Sequence, residues 1–407
     1  MHKDQINGAA RQATNRSTGE PSMRPLSIRP LAALAAALGI ALTAVPASAQ
    51  NIRIGFQAPL TGPAASDGKT ALQGAELAVE QINAAGGING RKLELVVADD
   101  QTQPAQAVPL ANKFIGDGIK AVVSGSYSGP TRAAASVFQA ARVPYLGAYA
   151  SHPDITRAGN YVFRTSLMGE VQGRGAAKLI VDVMKKKRLT MISLNNDFGQ
   201  ALGAGLKEAA AKMGLTIVSE YSYGMGDRQF GSLVASVKKD DPEVIYISGY
   251  FFNGGPLVAQ LRAAGIQAPI VGTEGFDTYN FISVAKAAAE GVIITTTLDR
   301  DSTNPATKKF IEDYKKRFSV GAEMVAASTH TAVNILAEAI RKVGIDDPAK
   351  LRDAIAATKE YPSATGPITM NAAREVYKPV QVQIIKDGEF RRYAVIDDPV
   401  LLAPPTN

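Results

Sequence analysis

The stretch 121–153, AVVSGSYSGPTRAAASVFQAARVPYLGAYASHP, constrains the fold more than any other part of the chain. An apolar segment (121–123) leads into a Gly/Ser loop (124–129) and an Ala-rich helical segment. A second apolar segment (143–149) then ends in the small-residue loop 150–152. Two parallel strands joined by a helix would carry two hydroxyl-bearing loops to one carboxyl edge, where open α/β sheets bind their ligands. Ser128 and Thr131 lie on either side of Pro130, a residue suited to the first helical position. The N–H groups of a first turn are unpaired and carry the positive end of the helix dipole. Such a site holds a carboxylate without catalytic machinery. The stretch therefore points to a protein that binds a small anionic or zwitterionic molecule and does not transform it.

The same alternation extends in both directions. Strand patterns fall at 52–59, 92–100, 189–195, 215–221, 244–250 and 269–275, and helical patterns at 69–85, 104–116, 170–187, 199–213, 229–239 and 256–264. Short connections between them are the signature of a parallel sheet. Segments 161–165 and 292–297 read as crossings, helices dominate 305–358, and 366–370 leads to a strand-rich tail, 380–396. The expected architecture is α/β with two Rossmann-like lobes. One comprises 51–165 and 298–370, the other 166–297 and 371–407. A three-segment hinge joins them, and such a pair encloses a ligand cleft.

A chain of 407 residues can build two cores of ordinary size. It has no Cys, which excludes disulfides and thiolate metal sites, and its three His (His2, His152, His330) are too dispersed for a zinc site. No cofactor is expected. Arg24 and Arg29, an apolar run at 31–45 and Ala47-Ser48-Ala49 have the build of a secretory signal cleaved after Ala49. Residues 1–22 form a polar upstream extension. With no Cys at the cleavage point, no lipid anchor is expected, and the mature protein is expected to be exported. Of the net charge of +7, residues 1–49 carry five basic against two acidic side chains, so about +4 remains after cleavage. No basic stripe interleaves with aromatics, which argues against nucleic acid.

Enzyme signatures are missing from the sequence. No G-x-G-x-x-G opens a helix after the first strand, and no G-x-x-x-x-G-K-[ST] occurs. The GSYSG at 125–129 puts Tyr127 where a nucleophile elbow needs Ser. A sensor remains the alternative: a ligand-sensing receptor component for a small carboxylate or amide.

Several phrases in fixed order carry a resemblance: IGFQAPLTGPAASDG (54–68), GAELAVEQINAAGGINGRKLELVVADDQTQP (74–104), ANKFIGDGIKAVVSGSYSG (111–129), ITRAGNYVFRT (155–165), NNDFGQALG (195–203), DPEVIYISGY (241–250) and LRAAGIQAPIVGTEGF (261–276). Together they resemble the leucine/isoleucine/valine-binding type of periplasmic substrate-binding protein of ABC importers. The resemblance implies the type I periplasmic binding protein fold, hinge closure over an amino acid, a monomer, and docking on inner-membrane permease subunits. It implies that Ser128 and the backbone at Ser151 receive the ligand carboxylate. The Tyr149 carbonyl, the Ser151 hydroxyl and Glu274 would receive the ammonium, with Ala150 in the same loop and Tyr250 closing over the polar end. Asp67, Tyr127 and Phe198 would line the side-chain subsite. Counting from the following strand shifts the carboxylate position to Gly129, but only Ser128 has a hydroxyl. Asp67 and His152 make the subsite more polar than an aliphatic ligand needs.

Each residue also has a plainer reading. Ser128 suits an N-cap, Asp67 a cap for the helix at 69, and Glu274 a cap for the helix that follows it. Ser151 would brace its own turn, Tyr250 would be a half-buried strand-end aromatic, and Phe198 would pack within its lobe.

Overall fold

The computed structural model describes residues 50–406, so the expected signal and its cleavage point lie outside the described residues. The first half of the chain runs β1 (Ile52–Ala58), α1 (Ala65–Ala84), β2 (Leu93–Asp99), α2 (Pro104–Gly116), β3 (Val122–Ser124), α3 (Ser128–Ala140), β4 (Tyr145–Gly147), α4 (Asp154–Arg157), β5 (Val162–Arg164). It continues α5 (Gly169–Lys178), β6 (Arg188–Leu194), α6 (Asp197–Met213), β7 (Thr216–Tyr223), α7 (Gly231–Asp240), β8 (Val244–Ser248), α8 (Phe251–Ala263), β9 (Ile270–Gly272), α9 (Tyr279–Ala285), β10 (Ile293–Thr296). Helices α10 (Pro305–Phe318), α11 (Met324–Val343) and α12 (Pro348–Ala356) precede β11 (Val380–Lys386) and β12 (Glu389–Ile396).

Two sheets result. The first is parallel, in the order β2-β1-β3-β4-β5. The second has the order β12-β11-β10-β9-β8-β6-β7, parallel from β7 to β10, with β11 and β12 added antiparallel. Strands β3, β4, β8 and β9 are buried along their whole length, as covered parallel strands must be, and so they read as unbroken apolar runs. In each sheet the order reverses beside the first strand of its parallel series, β1 in one and β6 in the other. At such switch points the strand ends splay apart and leave room for a ligand.

Close approach of backbones sets the helix positions. A Cβ on Gly205 would lie 1.9 Å from the Glu170 carbonyl oxygen, and one on Gly173 would lie 2.1 Å from that of Leu202, so α5 and α6 touch through their glycines. Gly205→Ala is therefore expected to destabilise the protein by roughly 1–3 kcal/mol through overpacking. Denaturant titration measures it, and an unchanged midpoint would show that the helices can separate freely. Helix α11 returns to the first sheet and lies against α1, where a Cβ on Gly74 would be 2.2 Å from the Ala326 carbonyl oxygen.

The structure corrects three boundaries. Residues 161–165 are more than a crossing, because β5 pairs in parallel with β4 before the chain leaves the sheet. Helix α1 starts at Ala65, four residues before the expected 69, with Asp67 in its first turn, where a carboxylate suits the dipole. The helix expected at 170–187 ends at Lys178 and continues as a single π turn, Leu179–Val183. The tail is a hairpin whose turn, Asp387-Gly388, has φ of 54° and 73°, the positive values a two-residue turn requires.

Candidate functional site

Equivalent loops of the two sheets meet over one cavity. From the first sheet come the loop after β1 leading to Asp67, the loop after β3 with Tyr127 and Ser128, and the loop after β4 with Tyr149 and Ala150. From the second come Phe198 after β6, Tyr250 after β8, and Glu274 with Gly275 after β9. Met324 and Val325, at the start of α11, complete the lining of a tight cavity of about 20 Å³. Eight of the nine expected residues line it. The ninth, Ser151, is buried just beyond Ala150, and its hydroxyl has no partner among the described residues.

Aromatic rings bridge the two sides. Tyr127 stacks on Tyr250 at 4.0 Å between centroids and 3° between planes, and Phe198 stacks on the same Tyr250 at 4.9 Å. Tyr149 meets Tyr127 edge-on at 6.3 Å, and its hydroxyl donates to the Gly125 carbonyl at 2.6 Å. Tyr250 is held by its backbone N–H, which donates to Asn253 Oδ1 at 3.0 Å. Tyr250 is 3% exposed, so it is no half-buried strand end, and Phe198 packs on it within its own side.

The polar end is organised by Ser128. The N-cap of α3 is Tyr127, so Ser128 is the first helical residue and not a cap. Its Oγ accepts the N–H of Ser151 at 3.0 Å and that of His152 at 3.3 Å. The Ser151 N–H, expected to face a ligand, is thus spent on Ser128. With both lone pairs engaged, the Ser128 hydroxyl hydrogen is left to donate, beside the first-turn N–H groups of α3.

Behind this loop sits Arg164, at the end of β5 and fully buried. Its guanidinium donates to the carbonyls of Ala150 at 2.5 Å and His152 at 2.7 Å, and pairs with the buried Glu375 at 2.8 Å. Sequence reading missed it, though an Arg closing a strand that is otherwise buried is itself a signal, because buried charges occur only where they are paired. Met324 and Val325 carried no local signal.

Two carboxyls are left short of partners. Glu274 is 4% exposed, and neither of its oxygens has a hydrogen-bond partner among the described residues. Burial pushes its carboxyl up to about 8, against the pull of the nearby Gln172 amide and of Arg164 and Lys378. It opens only the one-turn segment Glu274–Phe276 and caps no helix. Its neighbour cannot carry a side chain, since a Cβ on Gly275 would lie 2.1 Å from the Gly249 carbonyl oxygen. Asp67, also 4% exposed, accepts the Tyr127 hydroxyl on Oδ2 at 2.6 Å, while Oδ1 has no partner among the described residues. Burial pushes it up to about 8 despite that bond, helped by the charges of Glu323 and Asp277. It makes no cap.

His152, His330 and Asp99 lie outside the cavity lining. His152 Nδ1 accepts the Asp154 N–H at 3.2 Å, and the ring is not part of the cavity lining. His330 bonds Gln81 at 2.8 Å on the far side of α11, where burial holds it down to about 4. Asp99 braces its loop through the N–H groups of Leu60, Thr61 and Gln101. Among the described residues no His/Cys/Asp/Glu group fit for a metal ion occurs, and no helix is long and apolar enough to cross a membrane.

The arrangement offers a hydroxyl and amide donor end, an unpaired carboxyl opposite, and a small aromatic-walled space between. Comparison with known proteins places the chain as a whole. A description of the periplasmic binding protein family matches residues 51–388. The Leu/Ile/Val-binding protein homolog 3 of Brucella melitensis is 35% identical over 349 residues, covering 85% of this chain and 93% of that protein. The leucine-, isoleucine-, valine-, threonine- and alanine-binding protein of Pseudomonas aeruginosa is 32% identical, covering 82% and 90%. Among solved structures, the branched-chain amino acid transporter substrate-binding protein of Streptococcus pneumoniae, in complex with isoleucine, superposes with a TM-score of 0.80 at 26% identity, covering 85% of this chain and 99% of that one.

Proposed function

The chain belongs to the periplasmic binding protein family, and from that premise we propose that it is the extracytoplasmic solute-binding component of an ABC importer. Its ligand is a small amino acid, of branched-chain type or a more polar relative. It is a binding protein and not an enzyme, as its family is. The relatives are named for leucine, isoleucine and valine, and the Streptococcus pneumoniae protein holds isoleucine, which supports an amino-acid ligand.

The observation that carries the reading is the opposition of Ser128 and Glu274. An ammonium and a carboxylate leave water at high cost unless each is fully paired. Ser128 and the α3 amides receive the carboxylate. Glu274, the Tyr149 carbonyl and the Ser151 hydroxyl receive the ammonium. Tyr250 covers the polar end, and Tyr127, Phe198 and Asp67 surround the side chain.

Residues 51–165 with 298–370 form one lobe, and 166–297 with 371–407 the other. Ligand meets the first lobe, and contacts from Tyr250 and Glu274 favour closure by their differential affinity. A signal cleaved after Ala49 delivers the protein to the periplasm as a monomer, and the closed form docks on inner-membrane permease subunits. A thermal-shift panel of free amino acids, aromatic acids and amides tests the ligand class. At 100 times its dissociation constant, an amino acid is expected to add about 2.7 kcal/mol of stability. A shift from amides or non-amino carboxylates alone would overturn the ammonium site.

A further inference from the structure

We infer that the side-chain end of the cleft selects ligands carrying a neutral hydrogen-bonding group, a hydroxyl or a carboxamide, over their aliphatic isosteres, and that Asp67 is the specificity-determining residue. This rests on the amino-acid reading above and goes further by naming the side-chain class. The rest of that end is apolar: Met324, Val325, Phe198 and the faces of Tyr127 and Tyr250. Into it α1 inserts one carboxyl. The insertion is built into the backbone, because Gly68 packs against the Pro59 carbonyl where a Cβ would lie 2.0 Å away, and this close approach fixes Asp67 over the cavity.

Asp67 is pinned through one oxygen only. Tyr127 holds Oδ2, and Oδ1 is buried with no partner among the described residues. A buried polar atom left unpaired is costly, so what a ligand offers to Oδ1 decides between ligands of equal shape. An aliphatic side chain shuts Oδ1 away from water and returns nothing. A hydroxyl or primary amide both donates and accepts, and therefore satisfies the carboxyl in either protonation state. Because Tyr250 stacks on the ring that holds Asp67, closure over the ligand and recognition of its side chain engage the same tyrosine pair. Sites built to hydrogen-bond a ligand group reject the analogue that lacks it far more strongly than apolar pockets reject a missing methylene.

The test is calorimetric titration of the purified protein, stripped of carried-over ligand by unfolding and refolding, with two near-isosteric pairs: threonine against valine, and asparagine against leucine. Threonine over valine, and asparagine over leucine, by at least about tenfold is expected. Asp67→Leu should reverse both orders, while Asp67→Asn, which keeps a hydrogen-bonding group, should retain them. Equal affinities or an aliphatic preference in the unaltered protein would overturn the inference and leave the amino-acid reading standing. So would a polar preference that survives in a folded Asp67→Leu protein. Failure of all four to bind would overturn both.

Discussion

Replacing Glu274 with Gln is expected to weaken amino-acid binding by two orders of magnitude or more while raising the melting temperature of the ligand-free protein. The two effects have one origin. Glu274 is a buried carboxyl whose oxygens find no partner among the described residues. Leaving a ligand ammonium buried without its carboxylate costs about 3–5 kcal/mol. The neutral amide has nearly the same shape, so packing around Gly275 and Tyr250 is kept.

The pH dependence follows with a definite sign. Burial raises Glu274 from 4.5 to about 8, and Asp67 from 3.8 to about 8. Between the unfolded and folded values the native state holds a proton that the unfolded state has released. Stability from these groups is therefore full below about pH 4 and falls as pH rises toward 8. Each group contributes a slope of at most about 1.4 kcal/mol per pH unit, and Glu274→Gln should remove one of them. Binding of an ammonium ionises Glu274, so near pH 7 the unaltered protein should release close to one proton per ligand, and the variant none from this site. Calorimetry in buffers of different ionisation enthalpy counts that proton. Unchanged affinity, or binding without proton release, would remove Glu274 from the ligand site.

What could be read without coordinates was whatever a covered parallel sheet writes into its strands. The strand starts 244–247 and 270–271 are apolar because both faces are buried, and the small and polar residues that follow mark loops at the carboxyl edge. Ser128 was found in that way, while Tyr127, Tyr149, Tyr250 and Glu274 came with the family resemblance, and all five line one cavity. Contacts that depend on which backbones touch were not legible. Met324 and Val325 reach the cavity only because α11 lies against α1 at Gly74, some 250 residues earlier in the chain. The start of α1 was missed because Gly68 reads as a loop residue, whereas here it permits contact with the Pro59 carbonyl. Ser128 looked like a cap, yet its two acceptor sites are filled from the next loop, Ser151 and His152.

Arg164→Met is expected to cost about 3–5 kcal/mol of stability, because it leaves Glu375 buried without its cation. Glu375 belongs to the segment that returns toward β11. It also accepts the Thr156 hydroxyl at 2.5 Å, and the N–H of Arg164 donates to the neighbouring Arg374 carbonyl at 3.1 Å. A single ion pair thus ties β5, the turn at Thr156 and the 374–375 segment together. Glu375→Gln should be costly in its turn, since it strands the guanidinium. The double variant Arg164→Met/Glu375→Gln removes both charges and should recover much of the loss, because a buried pair replaced as a unit is often close to neutral. Denaturant titration of the four proteins yields the coupling directly, and a double variant no more stable than the singles would show that the charges do not act as a pair. Ligand affinity separates a structural role from a positioning one. The same guanidinium holds the carbonyls of Ala150 and His152, and so fixes the loop whose amides occupy Ser128. Restored stability does not restore that bracing, so the folded double variant should still bind its amino acid more weakly than the unaltered protein. Full recovery of affinity would mean that Ser128 is set by α3 alone, and that Arg164 serves only the packing beneath it.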